Sequence, residues 1–146
     1  VKVVLQRVKE VSVVVNDRTV AVIGKGLLLL VGIEKSDTGE IAERIAKKVC
    51  KLRVFEDREG KMNLDIRQVQ ASILSVSQFT LAGDISKGNR PSFDNAEIPK
   101  DAEKLWLRFN GFIKAFGVAV VCGEFGARMA VSLVNDGPVT FMVDSV

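Results

Sequence analysis

The apolar and polar positions divide the chain into strand-like and helix-like runs. Val1–Val8 alternates in part, and Val11–Val15 resumes the same character after Lys9-Glu10. Asn16-Asp17-Arg18-Thr19 is a turn signal answered by Thr19–Ile23, which predicts a hairpin. After Gly24-Lys25-Gly26, the run Leu27–Ile33 is apolar throughout, the pattern of a central strand covered on both faces. Ile41, Ile45, Val49 and Leu52 recur at helical spacing, with Asp37 expected as N-cap and Glu40 as its capping-box partner. The basic residues facing away, Arg44, Lys47, Lys48 and Lys51, read as a solvated face.

Val54-Phe55 begins a short strand that enters a charged turn through Lys61, and Leu64–Val69 has no decided type. Ile73–Leu81 reads as a strong strand. Ala82 to Ile98 is the longest irregular stretch, and loops of that length in a small domain usually carry function. Pro99 suits the first turn of a second helix, whose stripe Ala102, Leu105, Trp106, Phe109, Phe112, Ile113 and Phe116 ends at Gly117. Val118–Val121, Arg128–Val134 and Val139–Val143 are the last strands. Between the final two, Asn135-Asp136-Gly137-Pro138 reads either as a hairpin turn or as a rigid fingertip presenting backbone carbonyls. Two helices and about seven strands, with sheet segments between the helices, predict an α/β layered fold. It forms a single domain over residues 1–146, with a mixed, largely antiparallel sheet.

Composition narrows the chemistry. Apolar content of 47% with 27% charged residues is ordinary for a soluble globular chain. No unbroken apolar run is longer than the five residues of Leu27–Val31, too short for a bilayer span, and the start carries no export signal, so a cytoplasmic protein is expected. Cys50 and Cys122 fit no metal-ligand spacing and read as reduced structural thiols. A net charge of +3 permits a polyanionic partner without requiring one. The chain has no histidine and no tyrosine. That excludes a Ser-His-Asp triad, a Cys-His pair and His-ligated zinc. Proton transfer falls to carboxylates, lysine, water or the substrate itself.

Three segments could carry chemistry: Ser77-Gln78-Phe79-Thr80, the Lys87–Phe93 loop, and Gly137-Pro138. Ser77 and Thr80 lack the base that activates a hydroxyl nucleophile. The N–H groups of Phe79 and Thr80 at a strand end are better placed as oxyanion donors. No phosphate loop or dinucleotide fingerprint is present.

Ser-Gln-Phe-Thr-Leu at 77–81, Gly-Asn-Arg-Pro-Ser-Phe at 88–93 and Asn-Asp-Gly-Pro-Val-Thr at 135–140 resemble the D-aminoacyl-tRNA deacylase family. Leu5-Gln6-Arg7-Val8, Lys61-Met62-Asn63-Leu64 and Gly123-Glu124-Phe125-Gly126-Ala127 agree with its pattern, so the resemblance spans the chain. It implies the fold of that family and a homodimeric, cytoplasmic esterase without metal or cofactor. That enzyme removes D-amino acids, and glycine mischarged on tRNA-Ala, from the 3′ end of tRNA, and has no membrane or DNA partner. The family's Ser-Gln-Phe-Thr motif falls on Ser77, Gln78 and Thr80, with Phe79 between them. Its Gly-cisPro pair falls on Gly137 and Pro138, inserted from one subunit into the site of the other. Arg7 matches the residue that holds that pair, and Phe125 and Met129 match pocket-lining positions. The resemblance further implies that the terminal ribose 2′-hydroxyl assists hydrolysis, which ranks above Thr80 as a covalent nucleophile. On this reading the Gly-Pro carbonyls accept the substrate ammonium and crowd an L side chain. Two other readings stand beside it. One is a non-catalytic RNA-binding module using Lys87, Arg90 and the basic helix face. The other is a small-molecule hydrolase or deaminase anchored by Arg7 or Arg90.

Overall fold

The computed structural model describes residues 1–145. Its organising element is β1 (Lys2–Val15), fourteen residues long. Along one edge it pairs antiparallel with β3 (Gly26–Gly32) and, beyond an irregularity at the exposed Lys9-Glu10, with β2 (Arg18–Ile23). Along its other edge it pairs antiparallel with β8 (Ala130–Asp144). The two strand-like runs at the start of the chain are therefore one strand.

The parallel part of the sheet comes from crossovers. β3 pairs parallel with β6 (Ser72–Ser77), and β6 with β7 (Val120–Cys122). The first crossover carries α1 (Gly39–Lys51) and a two-stranded ribbon of β4 (Phe55–Glu56) and β5 (Met62–Leu64). The second carries α2 (Pro99–Ala115). The result is a mixed six-stranded sheet with two helices, as the pattern predicts.

The sheet has a core on each face. Val3, Leu5, Leu27, Leu29 and Val31 pack under Ile45, Val49, Trp106 and Phe109 of the helices. Val8, Val11, Val13, Ala21, Leu28, Leu74 and Val76 fill the opposite face. There the sheet curls until β2 approaches β6 and β7. β3 feeds both cores, the physical reason its sequence is apolar without alternation. Among the described residues no helix is long and apolar enough to cross a membrane.

Three local expectations are corrected. The N-cap of α1 is Thr38, whose Oγ1 accepts the Ile41 N–H at 3.2 Å. Asp37 is occupied elsewhere: its carboxylate holds the Val1 ammonium and accepts the Glu34 N–H at 2.7 Å. Glu40 simply places its charge in the first helical turn, where the helix dipole favours it. The strand expected over Ile73–Leu81 stops at Ser77, and Phe79–Ala82 wind into a 3-10 turn. Gly32 allows that turn to sit on the end of β3, since a Cβ there would lie 2.8 Å from the Leu81 Cβ.

The third correction concerns the C-terminal stretch. The runs read as separate strands, Arg128–Val134 and Val139–Val143, are not the two arms of a hairpin: from Ala130 onward both belong to the single strand β8. Both halves run antiparallel along β1, so no reversal takes place between them. Between the Gln6–Thr140 and Val8–Asn135 pairs, β1 has one residue, Arg7, and β8 has four, Asp136 to Val139. The surplus leaves the ladder as a bulge, a position where proline's missing N–H costs no sheet bond.

Candidate active site

The parallel ladder between β3 and β6 positions the first group of candidate residues. Gln78 ends the ladder by donating its N–H to Val31 O at 2.8 Å. In the turn that follows, the first N–H used is that of Leu81, on Gln78 O. The N–H groups of Phe79 and Thr80 precede it, where a helical turn offers no internal acceptor. The Gln78 side chain gives them no cap. Its Nε2 donates instead to Thr80 Oγ1, tying the two ends of the motif together.

This strand end opens on a cleft of about 630 Å³. Ser77, Gln78 and Phe79 form one wall, and Phe125 and Met129 line another. Phe125 is fixed through buried polar contacts. Its ring lies 5.8 Å from Trp106, whose Nε1 donates to the buried Ser75 Oγ at 2.9 Å. Gly123 N–H donates to Ser75 O at 2.9 Å and pins the same segment to β6. At the mouth, the half-exposed Phe79 and Phe93 meet edge to face with centroids 5.0 Å apart. Thr80 is exposed and reaches the cleft only through Gln78.

The second group of candidates stands apart. Gly137 and Pro138 are exposed and do not line this cleft. The Gly137–Pro138 peptide is cis, and Gly137 has φ +132°. Two devices hold the bulge. At its neck, Asn135 Oδ1 accepts the Val139 N–H at 3.1 Å while its Nδ2 donates to Thr140 Oγ1 at 2.9 Å. At its base, the buried Arg7 donates from Nε to Asp136 O at 3.1 Å and from Nη1 to Val54 O at 2.7 Å. The Asp136 and Glu56 carboxylates lie 3.7 and 3.8 Å from the guanidinium. One guanidinium thus ties β1, the segment after α1 and the bulge together, a use of arginine's planar fork that lysine could not copy.

The structure therefore brings Ser77, Gln78, Phe79, Phe125 and Met129 together, with Thr80 behind Gln78. It joins Arg7 to the bulge and leaves Gly137–Pro138 outside the cleft of their own chain. Lys87 and Arg90 of the long loop do not line the cleft either, although Phe93 of that loop does. Sequence reading missed Ile33, Lys35 and the Ala96–Pro99 segment as cleft residues. They meet because Lys35 N–H donates to Asn95 O and Glu97 N–H to Ile33 O, a long-range pairing with no local signal. Burial pushes the Cys50 thiol up to about 11 and raises that of Cys122, so neither supplies a thiolate nucleophile at neutral pH. Among the described residues no three Cys, Asp or Glu side chains gather as a metal site requires.

The model of the family described as D-Tyr-tRNA(Tyr) deacylase matches residues 4–144. A D-aminoacyl-tRNA deacylase of Saccharophagus degradans is 54% identical over 142 residues, covering 97% of this chain and 98% of that protein. Another from Geobacter sulfurreducens is 52% identical, covering 99% of this chain and 95% of that protein. Among solved structures, the c-Myc DNA Unwinding Element Binding Protein superposes with a TM-score of 0.93 at 38% identity over 99% of this chain and 98% of that one. A probable eukaryotic D-amino acid tRNA deacylase shares the fold, with a TM-score of 0.82 at 21% identity over 97% of each chain. With the match running through the strand end, the cleft and the bulge alike, the chain belongs to the D-Tyr-tRNA(Tyr) deacylase family.

Proposed function

We propose that this protein hydrolyses the ester bond of D-aminoacyl-tRNA, releasing the D-amino acid and free tRNA. The observation that carries the reading is the family match over residues 4–144, with relatives more than half identical along nearly their whole length. The chain works as a single cytoplasmic domain, and its chemistry is within reach of a site without histidine. An aminoacyl ester is activated by its neighbouring ammonium, so a placed water and oxyanion donors provide much of the catalysis. The N–H groups of Phe79 and Thr80 are those donors. Ser77 and Gln78 shape the wall beside the carbonyl, Phe125 and Met129 enclose the acyl group, and the terminal ribose 2′-hydroxyl assists proton transfer.

The hand of the substrate is chosen by Gly137 and Pro138 of a second copy of the chain. Two observations support an arrangement across subunits. The bulge projects from β8 without lining its own cleft. β8 is also an edge strand exposing Val134, Phe141 and Met142, a surface that symmetric pairing of two copies would cover. The bulge carbonyls accept the substrate ammonium and fill the space an L side chain would need. Glycine has no side chain to reject, so glycine mischarged on tRNA-Ala is hydrolysed too.

Purified protein should release D-tyrosine from D-Tyr-tRNA and leave L-Tyr-tRNA intact; equal hydrolysis of both would remove the stereochemical claim. Mixed dimers test the exchange of parts. Gln78→Ala and Gly137→Ala homodimers should each be impaired, while co-assembled heterodimers regain up to about half of wild-type activity. They contain one intact cleft facing one intact bulge, so absence of recovery would place cleft and bulge in the same chain.

A further inference from the structure

Among the described residues the cleft lining is almost wholly uncharged; its only ionisable members there are Lys35 and Glu97. Their situations differ. Glu97 is anchored, its Oε1 accepting the Ile98 N–H at 2.8 Å where α2 begins. Lys35 is exposed, and none of the ion pairs among the described residues involves its ammonium. Neighbouring charges are paired: Lys2 with Glu34 at 3.5 Å, and the Val1 ammonium with Asp37. The Lys35 backbone is nevertheless fixed, its N–H on Asn95 O at 3.0 Å and the adjacent Glu34 bridged to Ala96. The side chain is thus a free cation on a rigid base at the edge of an apolar cavity.

We propose that Lys35 binds the phosphodiester that joins the substrate's terminal nucleoside to the rest of the tRNA. This deepens the deacylase reading and rests on it. With the acyl group enclosed between Phe125 and Met129, the ribose lies toward the mouth and its 5′ phosphate is the first anion outside the cavity. A lysine supplies a point charge that suits a single phosphate and needs no exact angle. The same cation is wrongly signed for the substrate's ammonium, so it favours the orientation with the phosphate outward. Lys35 would therefore contribute to holding the ester in register, separately from the choice of hand.

The test compares Lys35→Ala with wild type on D-tyrosyl-tRNA, on D-tyrosyl adenosine 5′-phosphate and on D-tyrosyl adenosine. The last carries no phosphate. Lys47→Ala, on the solvated face of α1, removes the same charge elsewhere. Loss of one charge-assisted contact should raise KM about tenfold for the two phosphate-bearing substrates. It should also make the salt dependence of kcat/KM shallower by about 0.7 in logarithmic slope, the value for one phosphate on a single strand. D-Tyrosyl adenosine should be hydrolysed as fast as by wild type, and Lys47→Ala should behave as wild type on all three. An equal loss on D-tyrosyl adenosine, an equal loss in Lys47→Ala, or no loss anywhere overturns the role of Lys35 while leaving the deacylase reading intact. Wild-type protein inert on all three substrates overturns both.

Discussion

The strand end at Ser77–Ala82 and the bulge at Asp136–Val139 are built in opposite ways. The strand end rests on both cores: Leu74 and Val76 of β6 pack on one face, and Ser75 on the other anchors Trp106 of α2. Its shape follows from where a buried parallel ladder stops. The bulge grows from an edge strand and is held chiefly by two side chains, Arg7 beneath and Asn135 at the neck. The difference teaches how one small domain can divide a site. A cleft needs a wall that does not move, and the core supplies one. A projection needs backbone that can leave a sheet without breaking it, and an edge strand supplies that.

If this contrast is right, the largest effect should come from Arg7→Ala. It strands the carbonyls of Val54 and Asp136 beside a cavity, and unsatisfied buried groups cost about 1–3 kcal/mol each. Stability should fall by roughly 3 kcal/mol, lowering Tm by about 10 °C in a chain of this size. Deacylation should be lost in protein that is still folded. Arg7→Lys should restore part of the stability and little of the activity, since one ammonium cannot reach all of the acceptors. A fully active Arg7→Ala protein would break the comparison.

Gly137→Ala should come next. An added Cβ would lie 2.7 Å from Val139 Cγ2 at a φ that L residues rarely adopt. About 1–3 kcal/mol of stability should be lost. The damage should stay local: amide exchange should quicken from Asn135 to Thr140 and remain unchanged in β6. Quickening in both regions would show that they are not independent.

The core behind both regions can be weakened by pH. Burial raises the Cys50 thiol from 9.0 to about 11, so the folded chain keeps its proton where the unfolded chain has lost it. This contribution to stability is complete below pH 9 and disappears as pH rises toward 11. Denaturant midpoints should fall over that window, less steeply in Cys50→Ala. The native thiol should also stay inert to thiol reagents until unfolding.

The smallest effect on stability should come from Thr80→Ala, within about 0.5 kcal/mol of wild type because Thr80 is exposed. Single-turnover hydrolysis is the informative measurement. A loss below about tenfold fits a hydroxyl that merely receives the Gln78 amide bond, whereas a loss beyond a thousandfold would give Thr80 a direct chemical part.

Much of this protein was legible in its residues. The helical stripes of α1 and α2, the apolar β3 and the strand character of β1, β2 and β6 are local patterns, and they survive folding because burial follows them. That a strand leads into Ser77 was readable in the same way, as was the narrowing of chemistry by the absence of histidine. The strand's end was not: the strand read to Leu81 stops at Ser77 and a 3-10 turn follows. What the sequence could not decide depended on partners far along the chain. Asn-Asp-Gly-Pro carries the same local preferences in a hairpin as in a bulge. It became a bulge because β1 is long enough to pair with both sides of it. Asp37 is a good N-cap by type, but the Val1 ammonium occupies its carboxylate. Lys35 entered the cleft only because the chain at Glu34 pairs with that at Ala96. Periodicity records which face a residue buries, and sequence determined that much. Tertiary structure decided which segments share a ladder, because hydrogen bonding between distant strands leaves no imprint on local order.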